Sequence, residues 1–120
     1  MEIYTVANDI RTEFTEKKSV FISDIFFVST EEEASERLEA IKKIYPDATH
    51  HCWAYRLRDN GREKCSDDGE PQGTAGMPIL NVIKSNGITD VIVVVTRYFG
   101  GILLGAGGLV RAYTKGAADA

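Results

Sequence analysis

Three carboxylates stand within four positions in the run Ser66-Asp67-Asp68-Gly69-Glu70-Pro71-Gln72-Gly73-Thr74-Ala75-Gly76. Clustered carboxylate oxygens suit a hard cation such as Mg²⁺, which keeps several waters. On that reading Asp67, Asp68 and Glu70 would hold the ion for an enzyme acting on a phosphorylated substrate. The spacing does not fit a Ca²⁺ hand, because no glutamate stands at the twelfth position and the glycine is misplaced. The favoured reading is a turn. There, aspartate side chains accept backbone N–H bonds and glycines take positive φ. No metal is assigned.

His50-His51-Cys52, with Cys65 thirteen positions on, raises zinc. On a strand His50 and Cys52 share one face and His51 takes the other. A structural zinc site wants four ligands, commonly in paired knuckles, and no C-x-x-C is present. Cys52 is therefore expected to pack as a small buried hydrophobe.

A second segment runs Arg97-Tyr98-Phe99-Gly100-Gly101-Ile102-Leu103-Leu104-Gly105-Ala106-Gly107-Gly108-Leu109. It follows a strand and opens a helix, the context in which free N–H groups bind anions. It is not a Walker A loop, since no Gly-Lys-Ser/Thr follows. It fails the dinucleotide fingerprint because Val110 stands where the third glycine belongs. Arg97, Tyr98, Phe99, Arg111, Tyr113 and Lys115 supply cations and rings beside the glycines, as single-strand binders require. Arg97 and Arg111 are expected near the surface, and Gly107 at a tight contact between helix and sheet.

The elements that must position these residues are legible in outline. Ile3, Thr5 and Ala7 alternate with polar neighbours before the turn signal Asn8-Asp9. Arg11 to Lys17 is polar around Phe14. Ser19 to Val28 is rich in β-branched and aromatic residues and reads as a strand. Thr30 with Glu33 forms a capping box, and Ala34, Leu38, Ile41 and Tyr45 line one helical face until Pro46. His50 to Leu57 reads as a strand, and Arg58 to Gly76 as a long loop of the kind that is usually functional. Pro78 to Ser85 is a short helix closed by Asn86-Gly87. Asp90 to Thr96 is a strand buried on both faces, because Val91 to Val95 do not alternate. A last helix starts near Ala106 and carries no stop signal. The order predicts an α+β domain with a two-layer mixed sheet and helices on one face. Residues 1–120 form a single domain, expected to be a fragment of a longer chain.

The 120 residues suffice for one domain that folds without metal or disulfide. With 43% hydrophobic and 27% charged residues, the composition excludes a disordered tail or a disulfide scaffold. No run approaches the length of a membrane span, and Met1-Glu2-Ile3-Tyr4-Thr5 has no secretory pattern. A cytoplasmic location with two free thiols is expected. The net charge of −4 divides into −6 over residues 1–70 and +2 over residues 71–120. Such a chain is a poor generic nucleic-acid binder, and no DNA specificity is expected. A local basic face in the C-terminal half remains compatible with RNA.

The runs at 50–52, 66–76 and 95–113 resemble the N-terminal domain of the IMPACT family, over about Lys17 to the end. The family usually carries arginine after Lys-Lys-Ser, where this chain has Val20. The resemblance implies a fold like the second domain of a small-subunit ribosomal protein, a role in translational control and a second domain in bacterial relatives. It supplies no catalytic residues and no cofactor.

The expected function is binding of RNA or of a ribosome- or translation-associated partner. The ligand site is placed in a groove between loops 66–76 and 97–108. Arg97 and Arg111 would meet phosphate, Tyr98 or Phe99 would stack, and the amides of Gly105, Gly107 and Gly108 would bind an anion, with Gly100 and Gly101 in the same phosphate-binding set. The alternative is the Mg²⁺-dependent enzyme on a phosphorylated substrate.

Overall fold

The computed structural model describes residues 10–119. The expected strand at Ile3–Ala7 lies outside them. The elements are β1 (Ile10–Glu16), β2 (Ser19–Phe27), α1 (Glu31–Ile44), β3 (His50–Arg56), a 3-10 turn at Asp59–Gly61, β4 (Glu63–Ser66), α2 (Gly76–Ser85), β5 (Val91–Tyr98) and α3 (Gly105–Asp119). Five strands form one sheet in the order β1-β2-β5-β3-β4. Among the described residues no helix is long and apolar enough to cross a membrane.

The α+β class holds, with two differences from expectation. Every pairing is antiparallel, so the sheet is not mixed. The helices lie on both faces, not one. Phe21, Ile25, Cys52, Ala54, Val91, Val93 and Val95 pack with residues of α2 and α3. On the other face Phe26, Tyr55, Ile92 and Val94 pack with Ala34, Leu38 and Ile41 of α1. The physical reason is the unbroken apolar run of β5. A strand with no polar face needs cover on both sides, and α1 and the α2–α3 pair supply it.

Strand β4 breaks the loop expected at 58–76. Its sequence, Glu-Lys-Cys-Ser, has no apolar alternation. Pairing with β3, from Arg56↔Glu63 to Trp53↔Ser66, holds it in place. Helix α1 is capped as expected, Thr30 Oγ1 accepting from the Glu33 N–H at 3.1 Å. The Glu33 carboxylate is turned to the Ser29 hydroxyl at 2.8 Å.

Two features bring distant segments to one end of the sheet. Lys17 and Lys18, at φ 47° and 65°, form the two-residue turn between β1 and β2. Both central residues have positive φ, the type I′ pattern in which Asn-Gly is usual. Gly100 lies against this turn, where an added Cβ would sit 1.9 Å from the Lys18 carbonyl oxygen. Only glycine permits that approach.

Candidate functional site

Along β5 the period-two alternation that sends Val91, Val93 and Val95 toward α2 and α3 sends Arg97 there too. Arg97 is 5% exposed and Glu70 7%. Arg97 Nη1 donates to Glu70 Oε2 at 2.8 Å and to Oε1 at 3.0 Å. The hydroxyl of Tyr113, from α3, donates to Glu70 Oε2 at 2.5 Å. His50 Nε2 lies 3.4 Å from Glu70 Oε1, and its Nδ1 is 2.8 Å from the Asp68 carbonyl oxygen. Ser19 Oγ accepts from Arg97 Nε and from the Gly100 N–H, each at 3.3 Å. A buried charge is tolerated only when paired and hydrogen-bonded, and each of these groups supplies part of that requirement. The cluster joins β2, β3, the acidic loop, β5 and α3.

The acidic loop divides its carboxylates among separate tasks. Asp67 accepts from the N–H groups of Gly73, Ala75 and Gly76 at 2.9, 3.1 and 2.8 Å. It thereby caps the start of α2, where Ala75 and Gly76 would otherwise leave donors unpaired. Burial pushes the Asp67 carboxyl up, but the bonds from Gly73, Gly76 and Ala75 outweigh it and leave it below the ordinary range. Asp68 Oδ2 accepts from the His51 N–H at 2.7 Å. Gly69 and Gly73 take positive φ, as the turn reading requires. Among the described residues no group of three or more His, Cys, Asp or Glu is placed to hold a metal ion.

The alternation at 50–52 is as the sequence implies. His50 and Cys52 face α2 and α3, whereas His51 turns to the α1 side, its Nε2 2.8 Å from the Tyr45 carbonyl oxygen. The Cys52 thiol is fully buried, and burial foremost pushes its pKa far up. Its Sγ donates to the Asp67 carbonyl at 3.0 Å. Cys65 stands apart, its Sγ 3.6 Å from Met77 Sδ.

The segment 97–111 divides between interior and surface. Arg97 is interior, contrary to the expected surface position, because Glu70 and Ser19 replace its water from within. Tyr113, considered above as a ligand group, is fully buried. Tyr98 turns to the opposite face, donating to Asp47 at 3.2 Å. Phe99 is 45% exposed and lies over the Arg97 guanidinium, 5.4 Å from ring centroid to carbon. Its N–H donates to Thr49 Oγ1 at 2.9 Å, which fixes the loop against β3. Ile102 is 42% and Leu103 81% exposed.

The glycines serve different ends. Gly101 and Gly105 carry positive φ, 89° and 74°, and shape the exit into α3. Gly107 was expected at the helix–sheet contact, but the atom nearest its missing Cβ is Arg111 Nη1 at 3.3 Å. Gly108 faces Leu104 at 3.1 Å and Arg111 Nη2 at 3.9 Å. The helix–sheet contact falls instead on Gly116, where a Cβ would lie 2.8 Å from Ser23 Oγ. Arg111 itself is exposed. The structure thus brings Glu70 and Arg97 together internally and leaves Phe99, Gly107, Gly108 and Arg111 at or near the surface. Sequence reasoning missed Ser19 and the partnership of His50 with Glu70. No spacing could reveal them, since 78 positions separate Ser19 from Arg97.

The family model for the Impact N-terminal domain matches residues 17–120. The chain belongs to that family. It is 50% identical over 117 residues to IMPACT family member YvyE of Bacillus subtilis (strain 168), covering 97% of this chain and 54% of YvyE. The chain thus spans about half the length of this relative. A crystal structure described as that of an hypothetical protein matches with TM-score 0.91 and 41% identity, over 95% of this chain and 57% of that one. A structure of the two-domain translational regulator Yih1 matches with TM-score 0.58 and 28% identity, over 89% of this chain and 44% of that one. The match begins at Lys17, in the turn whose second residue, Lys18, packs against Gly100.

Proposed function

We propose that this chain is a binding module acting in translation, which engages single-stranded RNA through the β5–α3 loop and the first turns of α3. The carrying observation is the loop itself. Phe99, Ile102 and Leu103 are exposed, and Thr49, Ser19 and the Lys18 carbonyl fix the start of the loop that bears them. Apolar groups held out on a fixed loop mark a contact surface. The ring of Phe99 offers a stacking platform for a base. Arg111 and the backbone of Gly105, Gly107 and Gly108 would meet phosphate. Arg97 acts differently from expectation, backing the Phe99 ring from beneath. Likeness to the regulator Yih1 supports the translation context.

Exposure of Leu103 at 81% favours a second reading, a protein surface on the ribosome or a translation factor. The Mg²⁺ enzyme has less support, because Asp67 is committed to three backbone donors and Glu70 to Arg97 and Tyr113. Fluorescence anisotropy with labelled single-stranded RNA over a salt series tests the proposal. Phe99→Ala should weaken binding by about 1–3 kcal/mol without changing the salt slope. Arg111→Ala should flatten the slope by roughly 0.7. A parent chain that binds no RNA at low salt, with ribosome co-sedimentation abolished by Leu103→Asp, replaces this reading with the protein partner.

A further inference from the structure

We infer that the cleft between the β1–β2 turn and the flank of α3 is a subsite for one phosphate group. Its volume is about 210 Å³. Pockets for whole small ligands run from roughly 300 Å³ upward, so the cleft suits a single group of a larger molecule. Three cations line it, Lys17 from the turn and Arg111 and Lys115 from α3. Glu16 is the acid on the lining, and Lys115 is shared with Asp119 at 2.9 Å, which leaves the positive charge in excess.

The walls decide between a base and an anion. Phe14 is stacked on Phe21, with centroids 4.9 Å apart, and also lies under the Lys115 ammonium at 5.2 Å. Its ring is therefore already engaged and cannot serve as a stacking platform. Leu104 and Ala112 complete apolar walls that offer an anion no competing counter-charge and raise the strength of each charged contact. The backbone is shaped for the cations. Gly107 and Gly108 leave room for the Arg111 guanidinium to lie back over the first turn of α3. Lys17 holds left-handed φ in a turn where glycine or asparagine is usual, and strain of that kind collects at functional positions.

The subsite deepens the RNA reading and rests on it only for the source of the phosphate. A phosphodiester of the strand and a free phosphate compound present the same chemistry, and the experiment separates them. The ¹⁵N-labelled full chain is titrated with inorganic phosphate and, separately, with a short single-stranded oligouridylate. Both should shift the amides of Lys17, Gly108 and Ala112, and the RNA should also shift Phe99 to Leu103. Lys17→Gln and Arg111→Gln should abolish the cleft shifts and each flatten the RNA salt slope by roughly 0.7. Melting temperatures should stay at the parent value, and Lys42→Gln on α1 should change neither readout. RNA that shifts 99–103 while the cleft amides stay still overturns the subsite and leaves the RNA reading standing. Phosphate that shifts the cleft while RNA binds nowhere supports the subsite with a small-molecule source and overturns the RNA reading. Cleft shifts that survive both glutamine variants, or that neither probe produces, overturn the subsite.

Discussion

Arg97 Nη1 lies 2.8 Å from Glu70 Oε2, with 6% and 3% of the two side chains exposed. The contact spans 27 positions and ties the acidic loop to the end of β5. Removing one partner strands the other charge in the interior. Arg97→Ala and Glu70→Ala should each destabilise the fold by about 3–5 kcal/mol, measured by urea unfolding. The double change Arg97→Met with Glu70→Leu should cost clearly less than either. A loss under 1 kcal/mol for Arg97→Ala would show the pair to be dispensable.

Asp67 carries the start of α2 on a carboxylate held below the ordinary range. Asp67→Ala should cost about 1.5–3 kcal/mol at neutral pH, the range for hydrogen bonds to charged groups. The pH sense follows from the lowered folded value. The stabilisation is complete above the unfolded aspartate value of roughly 3.9 and is lost as pH falls through the lower folded value. The gap between parent and variant should therefore narrow below about pH 4 in thermal melts. A gap that widens on acidification contradicts the assignment.

The glycines can be ranked by substitution with alanine. Gly100→Ala collides with the Lys18 backbone and Gly116→Ala with Ser23, so both should destabilise. Gly101→Ala meets open space and carries only the positive-φ cost of about 1–2 kcal/mol. Gly107→Ala should leave the melting temperature nearly unchanged while displacing Arg111. Equal losses at 100 and 107 would refute the ranking.

The two thiols should separate under a thiol reagent. Burial raises the pKa of Cys52 and, to a smaller extent, that of the half-buried Cys65. Only the thiolate reacts, so native protein treated with iodoacetamide should carry label on Cys65, slowly, and none on Cys52. Peptide mass spectrometry reads the pattern, and urea should release Cys52.

Millimolar Mg²⁺ should leave the melting temperature unchanged. A site filled at a hundred times its dissociation constant would add about 2.7 kcal/mol, which a melt detects easily. A rise abolished by Asp68→Asn would restore the enzyme reading.

Local patterns carried far along this sequence. The Thr30–Glu33 cap, the helical face from Ala34 to Ile41 and the opposed faces of His50 and His51 depend on neighbours within a few positions, and each is present as expected. The apolar run Val91–Val95 stated that both faces of β5 are covered. That statement conflicts with helices on a single face, and the structure sides with the strand. The turn reading of 66–76 also holds, with Asp67 accepting backbone donors and Gly69 and Gly73 at positive φ.

The sequence by itself determined the α+β class, the capped start of α1 and the acidic and glycine segments, because these follow from short-range periodicity, capping and turn chemistry. Only the tertiary structure decided what the segments do. Strand β4 exists because β3 offers a partner, not because Glu-Lys-Cys-Ser prefers to be extended. Arg97 lies inside because Glu70 and Ser19, 27 and 78 positions away, meet it there. An arginine's side of the protein boundary depends on whether distant groups can replace its water, and no spacing along the chain encodes that balance.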